Sequence, residues 1–127
     1  MLRTISIFLL CLLLLGGGLW QMQYFRRLSD DLCKDLAQLE RAAAQNPASA
    51  RTGELFSALR SAWEANVPRL CMLLPHAQID AIQLELLHLE SLLSEGPSAE
   101  LETSFAQLSY LFGHLKRSDA ISLSNVF

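Results

Sequence analysis

Positive charge is scarce in this sequence, and the shortage limits the classes of partner. The chain has 127 residues, with 10 Lys and Arg against 13 Asp and Glu, and charged residues make up only 18% of it. Residues 26–127 hold 9 of the basic residues and all 13 acidic ones, a net charge of about −4. Because phosphate binding needs a basic surface, this composition argues against nucleic acid as a partner. It also argues against a domain that lies flat on anionic lipid.

Residue patterns that carry chemistry are missing as well. The sequence shows no glycine-rich phosphate loop, no cluster of carboxylates on one apolar helix face and no Ser/His/Asp arrangement. Its one run of glycines, Gly16–Gly18, falls inside an apolar segment. We therefore predict that the protein is not an enzyme and binds no cofactor.

Cysteines are few and badly placed for a disulfide. Cys11 lies in the apolar segment, which leaves Cys33 and Cys71 as the possible pair. If their helices form a hairpin that turns near Asn46-Pro47, Cys71 lies roughly 12 Å too far along its helix to reach Cys33. We expect two free, buried thiols.

One long apolar run stands apart from the rest of the chain. Residues 5–25 contain no charged side chain, and a helix of that length spans roughly 30 Å, the thickness of the hydrocarbon layer of a bilayer. Trp20, Tyr24 and Phe25 lie at its far end, where aromatic side chains collect at membrane surfaces. The sequence predicts that residues 1–25 form a single transmembrane anchor and that residues 5–25 contact membrane lipid.

A cleaved signal peptide is the alternative interpretation of this run. Such a peptide also has a basic start, an apolar centre and small residues, here Gly16–Gly18, that suit a peptidase. The apolar character continues after these glycines as far as Phe25. This continuation favours an uncleaved anchor.

The charges that flank the run bear on its orientation. Arg3 and the α-amine precede it, whereas Arg26, Arg27 and Lys34 follow it. Counting these charges favours a cytoplasmic domain, but the signal-like arrangement favours export of the residues after the anchor. We predict a single-pass protein of the cell membrane with an extracytoplasmic helical domain.

Beyond the anchor, apolar residues recur every three or four positions and predict helices. Nothing between Trp20 and Leu28 breaks a helix, so the anchor can continue into the first of them as one rod. A turn is expected over residues 46–53, and Pro68 is expected to kink or end the second helix. The first stripe comprises Leu28, Leu32, Leu36, Leu39 and Ala43, and the second comprises Leu55, Phe56, Leu59, Ala62, Trp63, Val67 and Leu70.

Two further helices follow. The third is expected from about His76 to Ser94, after Pro75, and the fourth from Ser98, a good N-cap residue. The predicted fold is all-α: an N-terminal transmembrane helix followed, over residues 26–127, by a small antiparallel bundle of three to four helices. The stripe of the fourth helix comprises Leu101, Phe105, Leu108, Phe112 and Leu115, and a short C-terminal tail is expected to dock through Ile121, Leu123, Val126 and Phe127.

Glu85 and His88 in the third helix resemble half of a metal site. Di-iron bundles need two Glu-x-x-His pairs and two further glutamates, all pointing inward. At 100° per residue, His88 lies about 180° around the helix from Ile79, which borders the core face. His88 is therefore predicted to face solvent, and we predict no metal site. His76 and Asp80, one helical turn apart, are predicted to form a local hydrogen bond or ion pair.

Three leucines of the same helix, Leu84, Leu87 and Leu92, fall outside its main apolar stripe. If this is the central helix of the bundle, the bundle buries them. Otherwise they form a contact surface for another protein. Burial within the bundle is the ordinary expectation for such residues, and the contact surface stays open as the alternative.

Several stretches resemble a known family. They are the "GLW" that ends the anchor, "AWE" at 62–64, "HAQIDAIQLEL" at 76–86 and "ISLSNVF" at 121–127. Together they resemble the domain-of-unknown-function family 4363, small single-anchor helical membrane proteins of spore-forming Gram-positive bacteria. The alanine-rich first loop and Pro68 depart from that pattern. The family has no established activity, so the resemblance supplies no catalytic residue, but it implies that His76, Ile79, Asp80 and Asn125 have a structural or partner-binding role.

The sequence thus predicts a membrane-anchored, non-enzymatic helical protein that acts through protein–protein contacts at the cell envelope, with a partner or with itself. The residues proposed for structural or partner contact are His76, Ile79, Asp80, Leu84, Leu87 and Asn125. The alternative is a tethered ligand-binding or sensing domain whose cavity is lined by Phe56, Trp63, Phe105 and Phe112.

Overall fold

Four helices form the protein in its computed structural model, which describes the backbone of residues 1–126 and the side chains of residues 1–116. They are α1 (Leu2–Gln45), α2 (Ala50–Leu73), α3 (His76–Glu95) and α4 (Ala99–Val126). No strand occurs within residues 1–126. The prediction of an all-α fold with an apolar N-terminal helix and a bundle is confirmed.

Helix α1 is one uninterrupted rod of 44 residues, about 66 Å long. Its N-terminal part, residues 2–20, is exposed on every side and is long and apolar enough to cross a membrane. Its remainder packs against α4 and α2. The expected continuation of the apolar segment into the first bundle helix is confirmed.

The fully exposed part of α1 ends before Phe25, the last residue of the segment predicted as the anchor. Phe25 is only 2% exposed and belongs to the core. It precedes Leu28 by three positions and so extends the buried stripe of α1 by one more residue. The part of α1 that is exposed on every side therefore ends at Trp20.

The core contains the stripes that the spacing predicted. At its centre the fully buried Trp63 packs against Phe112, with ring centroids 6.2 Å apart. Its Nε1–H donates a 3.0 Å hydrogen bond to Oε1 of Gln83 on α3. Trp63 therefore joins α2, α3 and α4. The other buried apolar residues include Leu28, Leu32, Leu36, Leu39, Leu59, Leu70, Ile79, Ile82, Leu86, Leu89, Leu93, Leu101, Phe105, Leu108 and Leu115.

The first connection is shorter than predicted. Helix α2 begins at Ala50, and Ser49 caps it by accepting a 3.2 Å hydrogen bond from the amide of Thr52. The hydroxyl of Thr52, which is buried, donates back to the carbonyl oxygen of Asn46 at 2.8 Å. These two bonds restrict the turn to residues 46–49, because Thr52 is already helical.

The expectation that Pro68 ends the second helix is wrong. Helix α2 passes through Pro68 and continues to Leu73. Pro68 is exposed, so the carbonyl that loses its helical partner can bind water. Leu70 and Leu74, beyond it, are buried and hold the last turn of α2 on the bundle.

The ends of α3 and the start of α4 follow their predicted signals. Gly96, with φ at 100°, ends α3 in a conformation that suits glycine. The hydroxyl of Ser98 accepts a 3.1 Å hydrogen bond from the amide of Leu101, so Ser98 is the N-cap as predicted.

The C-terminal end differs from the prediction. Helix α4 runs to Val126, so no separate tail begins after Arg117. The hydroxyl of Ser29 donates to the carbonyl oxygen of Phe112 at 2.7 Å, and Lys116 forms an ion pair with Asp30. Ala43, near the end of α1, lines one cleft with Leu101, at the start of α4. Together with the Ser29–Phe112 bond, this shows that α4 runs antiparallel to α1. The predicted docking of Ile121, Leu123, Val126 and Phe127 lies outside the described side chains.

Candidate functional site

His88 of the Glu85–His88 pair lies on the outer side of α3. His88 is exposed, and its Nδ1 lies 3.4 Å from Oε1 of Glu85. The prediction that His88 faces solvent is confirmed. Among the residues whose side chains are described, no three His, Cys, Asp or Glu residues form a group able to hold a metal ion.

Glu85 has a structural role that the sequence analysis did not anticipate. Its side chain is only 12% exposed, and its Oε1 accepts a 2.8 Å hydrogen bond from the hydroxyl of Ser104, which is buried in α4. Glu85 therefore links α3 to α4. Its position one residue before Leu86, at the edge of the apolar stripe, was the signal available in the sequence.

Replacing Glu85 with alanine is expected to destabilise the bundle by about 1–3 kcal/mol, because the buried hydroxyl of Ser104 loses its acceptor. Glu85→Gln keeps an acceptor oxygen and should cost less. Urea unfolding in detergent, followed by far-ultraviolet circular dichroism, measures the difference. The double variant Glu85→Ala/Ser104→Ala removes both partners and should regain most of the loss. Equal losses for Glu85→Ala and Glu85→Gln would contradict this role of the hydrogen bond.

The predicted contact between His76 and Asp80 is wrong. Both side chains are exposed, and no hydrogen bond or ion pair joins them among the described contacts. An exposed pair of this kind gains little free energy, since water screens the attraction and the side chains lose freedom. Ile79, between them, is buried in the core. The side chain of Asn125 lies outside the described part of the chain.

Leu84 and Leu87 are exposed, at 66% and 48%. The expectation that the bundle buries them is wrong, although Leu92 is buried as expected. Helix α3 meets α2 through Gln83 and Glu90, and it meets α4 through Glu85. Among the residues whose side chains are described, nothing covers the outer face of α3 at Leu84 and Leu87. We call Leu84 and Leu87, one turn apart on that face, the leucine pair.

The four aromatic residues considered for a ligand cavity fill the core instead. Phe56, Trp63, Phe105 and Phe112 are all buried. Trp63 and Phe112 pack ring against ring. Their side chains supply packing area to the bundle.

The end of the bundle nearest the apolar segment carries a polar and aromatic cluster. Tyr24 donates a 2.7 Å hydrogen bond to Oδ1 of Asn66, and the guanidinium carbon of Arg69 lies 5.8 Å from the centre of its ring. Trp20 stacks on Tyr24 with ring centroids 6.1 Å apart. Next to this cluster is an open cleft of about 370 Å³ lined by Trp20, Gln23, Tyr24, Arg27, Leu28, Asp31 and Asn66.

The cysteines are free, as predicted, but Cys33 and Cys71 are only half-buried. Burial raises the pKa of the Cys33 thiol, and the hydroxyl of Ser29 and the charge of Lys116 oppose this rise. Because the thiolate is the reactive form, Cys33 is a poor nucleophile at neutral pH.

A comparison with known families gives a match over most of the chain. The model described as Domain of unknown function (DUF4363) matches residues 19–126, which include the whole bundle, the aromatic cluster and the leucine pair. No curated protein and no solved structure matches the chain.

Proposed function

The chain belongs to the DUF4363 family, and from that membership and the geometry above we propose that it is a membrane-anchored, non-enzymatic helical protein that acts through protein–protein contact at the cell envelope. The exposed leucine pair is the observation that carries the proposal. It lies on a bundle joined without a break to a segment that can cross a bilayer. The net charge of about −4 beyond residue 25 favours a protein over a nucleic acid as the partner.

The anchor is supported by the exposure of residues 2–20. All of these side chains face outward, and none of the most apolar stretch is buried within the chain. In water such a surface would be strongly unfavourable, whereas a helix of this length, roughly 29 Å, matches the hydrocarbon layer of a bilayer. Because the same helix continues to Gln45, an anchor that stays attached to the bundle is favoured over a cleaved signal peptide.

The size of the leucine pair bears on the kind of contact it makes. A stable complex buries about 800 Å² on each partner, and two leucine side chains provide only part of that area. Tethering two proteins to one membrane raises their effective concentration, so a small apolar contact suffices. We therefore propose a partner that is held at the same membrane.

Photo-crosslinking in intact membranes tests this contact. A photoreactive amino acid at Leu84, at native abundance, is expected to give an adduct, and the same residue at Gln107 serves as the control. Gln107 is exposed on α4, three residues from Ser104, which bonds to Glu85. It therefore lies at nearly the same height on a different face of the bundle.

The mass of the adduct identifies the partner. Twice the mass of the chain indicates a second copy, any other mass indicates a different protein, and both support the proposal if the adduct forms at Leu84 alone. No adduct at Leu84, or equal adducts at Leu84 and Gln107, would overturn it.

We further propose that the bundle lies outside the cytoplasm. The support is the signal-like order of Arg3, the apolar run and the residues after it. A reporter enzyme that is active only outside the cytoplasm, fused after Phe127, should be active. An inactive reporter, with the fusion intact in the membrane, would place the bundle inside.

A further inference from the structure

We propose that the turn between α2 and α3 enters the interface of the same bilayer that holds the apolar segment, so that the bundle contacts lipid at a second place. This inference rests on the membrane anchoring proposed above. Met72 and Leu73 carry it. Met72 is 80% exposed, and Leu73 is also exposed, although both are apolar.

The antiparallel register of α1 and α2 places this turn at the height of the membrane surface. Tyr24 contacts Asn66 and Arg69, so this part of α2 lies level with Tyr24. Leu73 follows Arg69 by four residues, a rise of about 6 Å towards the apolar segment. The turn therefore reaches the level of Trp20, where that segment ends.

The unbroken helix between anchor and bundle fixes the height of the turn relative to the membrane. Helix α1 has no break between the apolar segment and the bundle, and buried Phe25 packs in the core only five residues after Trp20. A bilayer that surrounds the segment up to Trp20 must therefore meet the turn. Met72 has little cover from the residues whose side chains the structure describes.

The side chains around the turn suit the surface of a bilayer. Trp20 and Tyr24 are residues that collect at membrane interfaces. Arg26, Arg27 and Arg69 are exposed at the same end, where guanidinium groups can bind lipid phosphates while their stems stay in apolar surroundings.

Among the residues whose side chains are described, the acidic residues nearest this end do not prevent such a contact. Asp30 is paired with Lys116, and Asp31 lies more than one helical turn beyond Arg27. Asp80 lies about 6 Å along α3 from its first residue. The negative charge of the domain as a whole still opposes its lying flat on anionic lipid. The contact is therefore limited to the end of the bundle.

The lipid contact of the turn also fixes the position of the leucine pair relative to the membrane. Leu84 lies eight residues after His76, the start of α3, and thus about 12 Å above the turn. Two contacts with the bilayer, through α1 and through the turn, hold the pair at that height and in a fixed direction. The inferred partner site therefore faces along the membrane surface.

Fluorescence quenching in vesicles of phosphatidylcholine tests the proposal with the full-length chain. Single-cysteine variants carry the same small fluorophore at native Cys11, at Met72→Cys or at Leu84→Cys, with the remaining cysteines replaced by alanine. Part of the lipid is brominated on the acyl chain near the glycerol, and iodide serves as the aqueous quencher. Leu84 is a matched control because it is also exposed and apolar, at 66%.

We expect lipid quenching at position 72 to exceed that at position 84 by roughly two- to threefold, because an interfacial side chain reaches the boundary between headgroups and acyl chains. Iodide should show the opposite order. Weak lipid quenching at position 72 overturns the proposal. Strong iodide quenching would then show that position 72 lies in water, and weak iodide quenching would show that another protein covers it. The fluorophore at Cys11 distinguishes the proposed anchor from the proposed lipid contact of the turn. If lipid does not quench it, the anchor proposal is rejected. If lipid quenches it but does not quench position 72, only the lipid contact of the turn is rejected.

Discussion

Replacing Leu10 and Leu13 with lysine is expected to release the protein from the membrane fraction. Both leucines are exposed near the middle of the apolar segment, outside the core formed by the described side chains. A lysine at the centre of a transmembrane helix costs about 2.5–3.5 kcal/mol. Two of them cost about 6 kcal/mol, which lowers the equilibrium constant for insertion by roughly 10⁴-fold. Sedimentation after an alkaline wash measures the fraction that remains in the membrane.

The matched control for this change is Leu84→Lys/Leu87→Lys. It adds the same charge to two leucines that are also exposed, but on the bundle. This variant should stay with the membrane and keep its helical content. If Leu10→Lys/Leu13→Lys also withstands the alkaline wash, residues 2–20 are not the anchor.

The fold could be predicted from the sequence because one physical pattern determines most of it. Apolar residues spaced three and four apart, as in Leu101, Phe105 and Leu108, bury one stripe of each helix whatever the partner helix is. Spacing alone does not fix the ends of α2. Pro68 costs little free energy because it lies on the exposed side of the helix, and the side-chain bonds of Ser49 and Thr52 start α2 earlier than the spacing indicates.

The candidate site was less predictable because it depends on which helices are neighbours. An outer leucine such as Leu84 is buried or exposed according to whether another helix covers its side of α3, and a helical wheel contains no such information. The role of Glu85 also depends on a neighbouring helix, because its carboxylate links α3 to α4 only through the hydrogen bond from Ser104. The outward direction of His88, by contrast, follows from its angle to the core stripe alone.

Replacing Trp63 with alanine is expected to cost the bundle about 3–5 kcal/mol. Its side chain is fully buried, packs against Phe112 and is bonded to Gln83, so the change leaves a cavity where α2, α3 and α4 meet. Small domains are stable by only about 5–15 kcal/mol. The urea midpoint of the full-length chain in detergent, followed by circular dichroism, should therefore fall sharply.

Two variants show which property of Trp63 matters. Trp63→Phe keeps a ring against Phe112 and gives up the bond to Gln83, which is half-buried and can bind water instead, so a loss under about 2 kcal/mol is expected. Leu84→Ala truncates an exposed side chain and should change the stability by at most about 0.5 kcal/mol. If Trp63→Ala is no more destabilising than Leu84→Ala, Trp63 does not hold the three helices together. In that case the position of the leucine pair on a fixed bundle, on which the proposed partner contact depends, loses its physical basis.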